Sequence, residues 1–161
     1  MGRMYTGTFK DIAVTAAQDL FELAAPADAI LVVHAWVLTQ DTETGDAAEE
    51  MLTLTTNRGV GSVTSGSGGA TVTTQPVEDG DPATGGVVER NNTTIMAVGT
   101  GTLETDLEVH NWNVRIPYQW VYPPELRPIV SPSNRWTLEL ETAPADSVTM
   151  SGTVWFEEIG G

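Results

Sequence analysis

The chain has 161 residues, with 22 acidic side chains against seven basic ones, a net charge of −15 and a single lysine, Lys10. It has no cysteine, which excludes disulfides and thiolate-bound metals, and its negative field repels phosphate backbones, which argues against direct nucleic-acid binding. A chain of this length is expected to form one domain, residues 1–161, and to bury roughly two-thirds of its unfolded surface without a cofactor.

The opening MGRMYTGTFKDI lacks the apolar stretch of a secretion signal. Residues 1–8 read as an N-terminal arm, with Arg3 and Tyr5 placed to grip a partner. Strands are predicted at Phe9 to Thr15 and Asp19 to Ala25. In VTAAQDLFELAA the apolar positions also approach helical spacing, but Pro26 and the β-patterned flanks favour a strand. Ala29 to Leu38, AILVVHAWVL, is apolar on both faces, as in a strand covered twice. Ten residues interrupted by His34 are too few to span a membrane. The acidic run DTETGDAAEE carries a short helix candidate at Asp46 to Leu52 and lacks the central glycine and closing glutamate of an EF-hand.

Met51 to Arg58 then alternates as a strand. Gly59 to Val88 holds eight glycines, two prolines and no aromatic ring. It has no lysine after its glycines, as a P-loop requires, and no Gly-x-Gly-x-x-Gly opening a helix. It is therefore read as a long surface loop that packs against a neighbour. Further strands are predicted at Ala70 to Gln75, Thr93 to Val98 and Glu108 to Ile116, the last with Trp112, Val114 and Ile116 on one face. YPPELRPIVSP is too rich in proline for a central strand and reads as a connection. RWTLELE points Trp136, Leu138 and Leu140 inward and leaves Arg135, Thr137, Glu139 and Glu141 on a wet face. SVTMSGTVWFEE repeats the pattern with Val148, Met150, Val154 and Phe156. The expected fold is all-β, a single-domain jelly-roll-like sandwich of about eight to nine antiparallel strands.

No catalytic constellation accompanies these strands. There is no Gly-x-Ser-x-Gly elbow, and the two histidines, His34 and His110, each stand in an apolar strand as His-x-Trp, which reads as a core or interface histidine sharing a face with its indole. Glu139 and Glu141 are separated by roughly 6.5–7 Å along one strand face, near the spacing of glycosidase pairs, but that face reads as solvated. The expectation is a protein with no enzymatic activity, no cofactor and no metal.

Four segments, AVTAAQDLFELAAPADAILVVHAWVLTQ, GDAAEEMLTLTTNRG, SGSGGATVTTQPVEDGDPA and the ending APADSVTMSGTVWFEEIGG, resemble in this order the small virion proteins of tailed phages, either head decoration (cement) proteins or capsid-fibre proteins. The resemblance implies a β-sandwich, often trimeric, made in the host cytoplasm and seated on the capsid exterior. Its partners would be itself and the major capsid protein, with no membrane involved. A homo-oligomer needs an apolar surface that a monomer would not expose. The candidates for that interface, or for the capsid contact, are Arg3, Tyr5, His34, Trp36, Trp112, Trp120, Tyr122 and Trp155. The alternative is a receptor- or carbohydrate-binding sandwich from a tail tip or fibre, with the aromatics from Trp112 to Tyr122 stacked on sugar faces.

Overall fold

The structure, a computed structural model, describes residues 2–42 and 50–160. The strands are β1 (Arg3–Val14), β2 (Gln18–Ala24), β3 (Ala29–Gln40), β4 (Met51–Val60), β5 (Ala70–Thr71), β6 (Gln75–Pro76), β7 (Val87–Asn92), β8 (Thr102–Asn113), β9 (Tyr118–Val121), β10 (Ile129–Val130), β11 (Arg135–Leu140) and β12 (Val148–Gly160). A 3-10 turn at Pro124–Leu126 is the one helical element among the described residues.

All pairings are antiparallel, in two sheets. Sheet A runs β10-β3-β12-β1-β6, with β9 on the same edge of β3 as β10; sheet B runs β5-β7-β2-β11-β4-β8. One nested set of pairs underlies both: β1 with β12, β2 with β11, β3 with β9 and β10, and β4 with β8. That is a single long antiparallel ribbon rolled up so that successive segments alternate between layers. The expected jelly roll is therefore present, with extra short strands on its edges.

Alternation places the core between the layers. β12 is the cleanest case, burying Val148, Met150, Val154 and Phe156 while Thr149, Ser151, Thr153, Trp155 and Glu157 between and beside them stay half-exposed. Trp136, Leu138 and Leu140 of β11 face them with no exposure at all. Trp36, Trp112, Tyr5 and Tyr122 complete the same cluster. At about 25 cal/mol per Å² this apolar burial is the main favourable term of folding.

Several expectations are corrected by this arrangement. The segment expected as an arm, 1–8, enters β1 at Arg3, and Tyr5 stacks on Phe156 with ring centroids 5.7 Å apart. The strand expected at Thr93 to Val98 is absent; only isolated bridges from Ser67 to Thr94 and from Thr64 to Ala97 form there, and β7 precedes it. Ile116 leaves the face of Trp112 and Val114 because β8 ends at Asn113, and it is exposed. The strand reading of Asp19 to Ala25 holds as β2. Most of the acidic run and of the helix candidate Asp46 to Leu52 lies outside the described residues, and Met51 and Leu52 open β4.

Candidate interaction surfaces

Three surfaces carry the features that sequence reading singled out. The first is the outer face of sheet A. Strand register builds three rows across it: Gln119, Val37, Thr153, Thr8; Val121, Ala35, Trp155, Thr6; and Ile129, Val32, Glu157, Met4. In a chain of net charge −15, Glu157 is the only acid in these rows, and it is paired with His34, Nε2 to Oε2, at 3.1 Å. Half-buried Trp155 stands at the centre.

His34 reaches this face through a local irregularity. The register between β3 and β12 shifts where Trp155 pairs with Ala35 and Phe156 with Val33, so His34 is an extra residue. The bulge sends Trp36 inward and leaves His34 outside. The shared face expected for this His-x-Trp pair is thereby corrected, whereas His110 and Trp112 do share the inner face of sheet B. The two histidines are consequently on opposite sides of sheet A and form no joint site.

The second surface is the outer face of sheet B, and it is covered. Residues 61–69 and 93–101, from the tip of the ribbon, lie against it as a flap. Their contact is polar and is organised by two carboxylates of β2. Glu22, 1 % exposed, accepts hydrogen bonds from Ser65 Oγ at 2.7 Å, Gly66 N–H at 2.8 Å and Asn92 Nδ2 at 3.3 Å, and pairs with Arg135 Nη1 at 2.7 Å. Asp19, equally buried, accepts the Met96 N–H at 2.6 Å through Oδ2, while its Oδ1 has no partner. Burial is the main cause that pushes the Asp19 carboxyl up to about 8, with the neighbouring Glu139 and Glu22 charges adding to it and the Met96 N–H opposing.

Further along the insertion, Glu158 accepts Gly85 N–H at 2.9 Å, Gly86 N–H at 3.1 Å and the Thr84 hydroxyl. The glycines permit this close docking. A Cβ on Gly69 would stand 1.9 Å from the Arg90 carbonyl oxygen, and one on Gly101 would stand 2.2 Å from that of Val60. The segment 59–88 is thus not a free connection: much of it is packed on its own domain. Glu139, expected on a wet face, is half-buried, accepts Asn57 Nδ2 at 2.6 Å and has its carboxyl raised by burial. Glu141 lies beyond the end of β11 and is exposed, so the two do not form a carboxylate pair on one solvated strand face.

The third surface is the side of the sandwich where β8 edges sheet B and β9 and β10 edge sheet A. A cleft of about 400 Å³ opens here between Thr56, Arg58, Leu107, Glu108, Leu126 and Ile129. Leu107, Leu126 and Ile129, which line it, are between 42 % and 65 % exposed. Beneath it, His110 is surrounded by Trp36, Tyr118 and Trp120, with ring centroids at 5.5, 5.8 and 4.7 Å, and its Nδ1 lies 3.0 Å from the Tyr118 hydroxyl. Burial holds His110 below the ordinary histidine range. Tyr122 donates to Glu108 at 2.6 Å.

The expected interface residues therefore separate. Tyr5, Trp36, Trp112 and Tyr122 are core side chains, at most 2 % exposed. Trp120 packs against the core from its rim. Of the eight, Arg3 is exposed and His34, Trp120 and Trp155 are half-buried, and Arg3 is engaged with Asp81 at 3.7 Å. In the stretch expected to stack on sugars, Trp112 and Tyr122 are core side chains, and Tyr118 and Trp120 between them are half-buried. The exposed aliphatics of the β8–β10 side were missed because single apolar residues in turns and on edges are ordinary in any sequence.

No family model matches the chain, and no curated protein matches it. Among solved structures it aligns with infectious bursal disease virus, Gt strain, at a TM-score of 0.20 and 15% identity over 99% of this chain and 41% of that one. It also aligns with a mutant VP2 protein of the same virus, from derived T=1 particles, at a TM-score of 0.21 and 14% identity over 99% of this chain and 41% of that one. This chain thus spans about two-fifths of the length of either.

Proposed function

We propose that this protein is a non-enzymatic structural component of a virion, a trimer that binds the outside of a tailed-phage capsid shell and stabilises it. The observation that carries the self-assembling part is the distribution of charge and apolar surface. Copies bearing −15 each repel one another wherever acids are dense. The outer face of sheet A, with one histidine-paired acid in its three rows, is a place where another copy can approach without that penalty.

The capsid-exterior part is supported by the jelly-roll architecture together with the segment resemblance to decoration and fibre proteins. Decoration also suits a rigid sandwich on physical grounds. A trimer that presents three weak contacts to a symmetric lattice gains affinity through effective concentration without a deep site on any one copy.

The experiment is to add the purified protein to expanded shells assembled from the major capsid protein of its own virus. Binding that saturates at a fixed ratio and raises the temperature of shell disruption is the expected result. Absence of binding at micromolar protein removes the capsid assignment.

A further inference from the structure

We infer that a polar cavity between the two layers, near the β1–β2 turn, is a binding site for a small hydroxycarboxylate, with Arg90 as the clamp on its carboxylate.

The cavity measures about 330 Å³, and Ile12, Gln18, Ala70, Arg90, Asn91 and Thr93 are in its lining. Strand register turns three of these toward the interior. Ile12 pairs with Met150, Gln18 with Leu140 and Arg90 with Phe21, and all three partners are core residues. Directly opposed residues of an antiparallel pair share one face of the sheet. Inward positions are ordinarily apolar, so a glutamine and an arginine there need polar partners.

No described residue supplies them. Gln18 and Asn91 are 3 % and 5 % exposed, and Gln18 Nε2 and both polar atoms of the Asn91 amide are buried without a hydrogen-bond partner. Native folds rarely leave such groups unpaired. Arg3, Lys10, Arg58 and Arg135 are each paired with an acid, whereas Arg90 forms no ion pair or side-chain hydrogen bond among the described residues.

The polarity of the lining fixes the class of ligand. It contains no acid, in a chain that has 22. The acids adjacent in sequence are engaged elsewhere: Asp19 accepts the Met96 N–H under the flap, and Glu89 accepts Asn92 Nδ2 at 2.9 Å. A guanidinium fork matches a carboxylate with two parallel hydrogen bonds. Turned toward the cavity, the Gln18 and Asn91 amides add further N–H donors. Asn91 Oδ1 is an acceptor, which a bare anion leaves unsatisfied and a ligand hydroxyl satisfies. The volume suits a ligand at the small end of the range.

Titration of the ¹⁵N-labelled full chain with L-malate and with D-glucuronate, followed by NMR, tests this. Saturable shifts of the Gln18 and Asn91 side-chain amide signals are expected with at least one of the two acids, and none with neutral glucose. Arg90→Gln is expected to weaken binding about tenfold or more, the loss of a charge-assisted contact. Ala70→Phe fills the cavity without changing charge, because Ala70 is exposed and pairs with Arg90 on the same side of the sheet; it is expected to abolish binding. The two substitutions act by different means, so either one that keeps the wild-type amide dispersion decides the matter. Absence of shifts with both acids at millimolar concentration overturns the inference, as does binding that survives the substitutions. Inorganic phosphate moving the same signals with equal affinity means an adventitious ion only and overturns it too.

Discussion

Replacing Glu22 with alanine is expected to destabilise the protein by about 3–5 kcal/mol, the usual cost of removing one partner of a buried ion pair. For a domain of this size that lowers Tm by roughly 6–20 °C. The size follows from what the carboxylate holds. Its loss leaves the Arg135 guanidinium and the Gly66 N–H without this acceptor under the flap, and leaves the Ser65 hydroxyl only its longer 3.4 Å contact to Glu89. The damage is local before it is global: the backbone from 61 to 69 loses its anchor, so protease cleavage there should precede thermal unfolding of the sheets. Glu22→Gln keeps the acceptor oxygen and should recover part of the loss. Calorimetry with timed proteolysis reads both effects. A Glu22→Ala variant with wild-type Tm and an uncut flap would show that the carboxylate does not clamp the insertion.

The second large effect is a dependence of stability on pH that belongs to Asp19. Its folded carboxyl titrates at about 8, against an ordinary value of 3.8. Between those values the folded state holds a proton that the unfolded state has released, so stability falls as pH rises and the contribution is gone above the folded value. His110 acts in the opposite sense. Burial lowers it, so its contribution is present above the unfolded histidine value of 6.5 and is lost as pH falls below that. The interval from pH 6.5 to 8 therefore isolates the carboxylates. Wild type should lose up to about 1.4 kcal/mol per pH unit there, the limit for one proton. Asp19→Asn, neutral at every pH and still able to accept the Met96 N–H, should flatten most of that slope. Thermal unfolding of the two proteins at matched ionic strength measures it, and equal slopes would mean that Asp19 is ionised and solvated in the folded state.

Most of the sandwich was legible because a sheet with one wet face writes its register into the chain. β11 and β12 alternate so regularly that their buried sides could be named before their neighbours were known. The two-faced apolarity of β3 was equally informative: its inner side is core, and its outer side belongs to the face with few charges. Trp36 was misplaced among the interface candidates for a definite reason. One extra residue at His34 reverses which side of β3 faces inward, and periodicity cannot detect a bulge whose flanking residues are all apolar. Tyr118 and Trp120 alternate on β9 as a surface strand might, yet both are turned toward His110.

The covered face of sheet B was the larger omission. Acids on a strand are ordinarily assigned to water, so Asp19 and Glu22 gave no warning, although QDLFELA places them within a strand that is buried on both sides. The other half of the clue was the glycine content of the insertion. Glycines at 66, 69, 99 and 101 are what backbone needs in order to lie directly on carboxylates and on other backbone. Composition alone cannot distinguish glycines that allow close packing from glycines that allow freedom.

The measurement that tests the account most directly is the mass of the wild-type protein by sedimentation equilibrium at micromolar concentration. The account predicts a single species of three times the 17.2 kDa chain mass, unchanged by chelator. A monomer over that concentration range would contradict it, since the sparsely charged outer face of sheet A would then be unoccupied in the free protein.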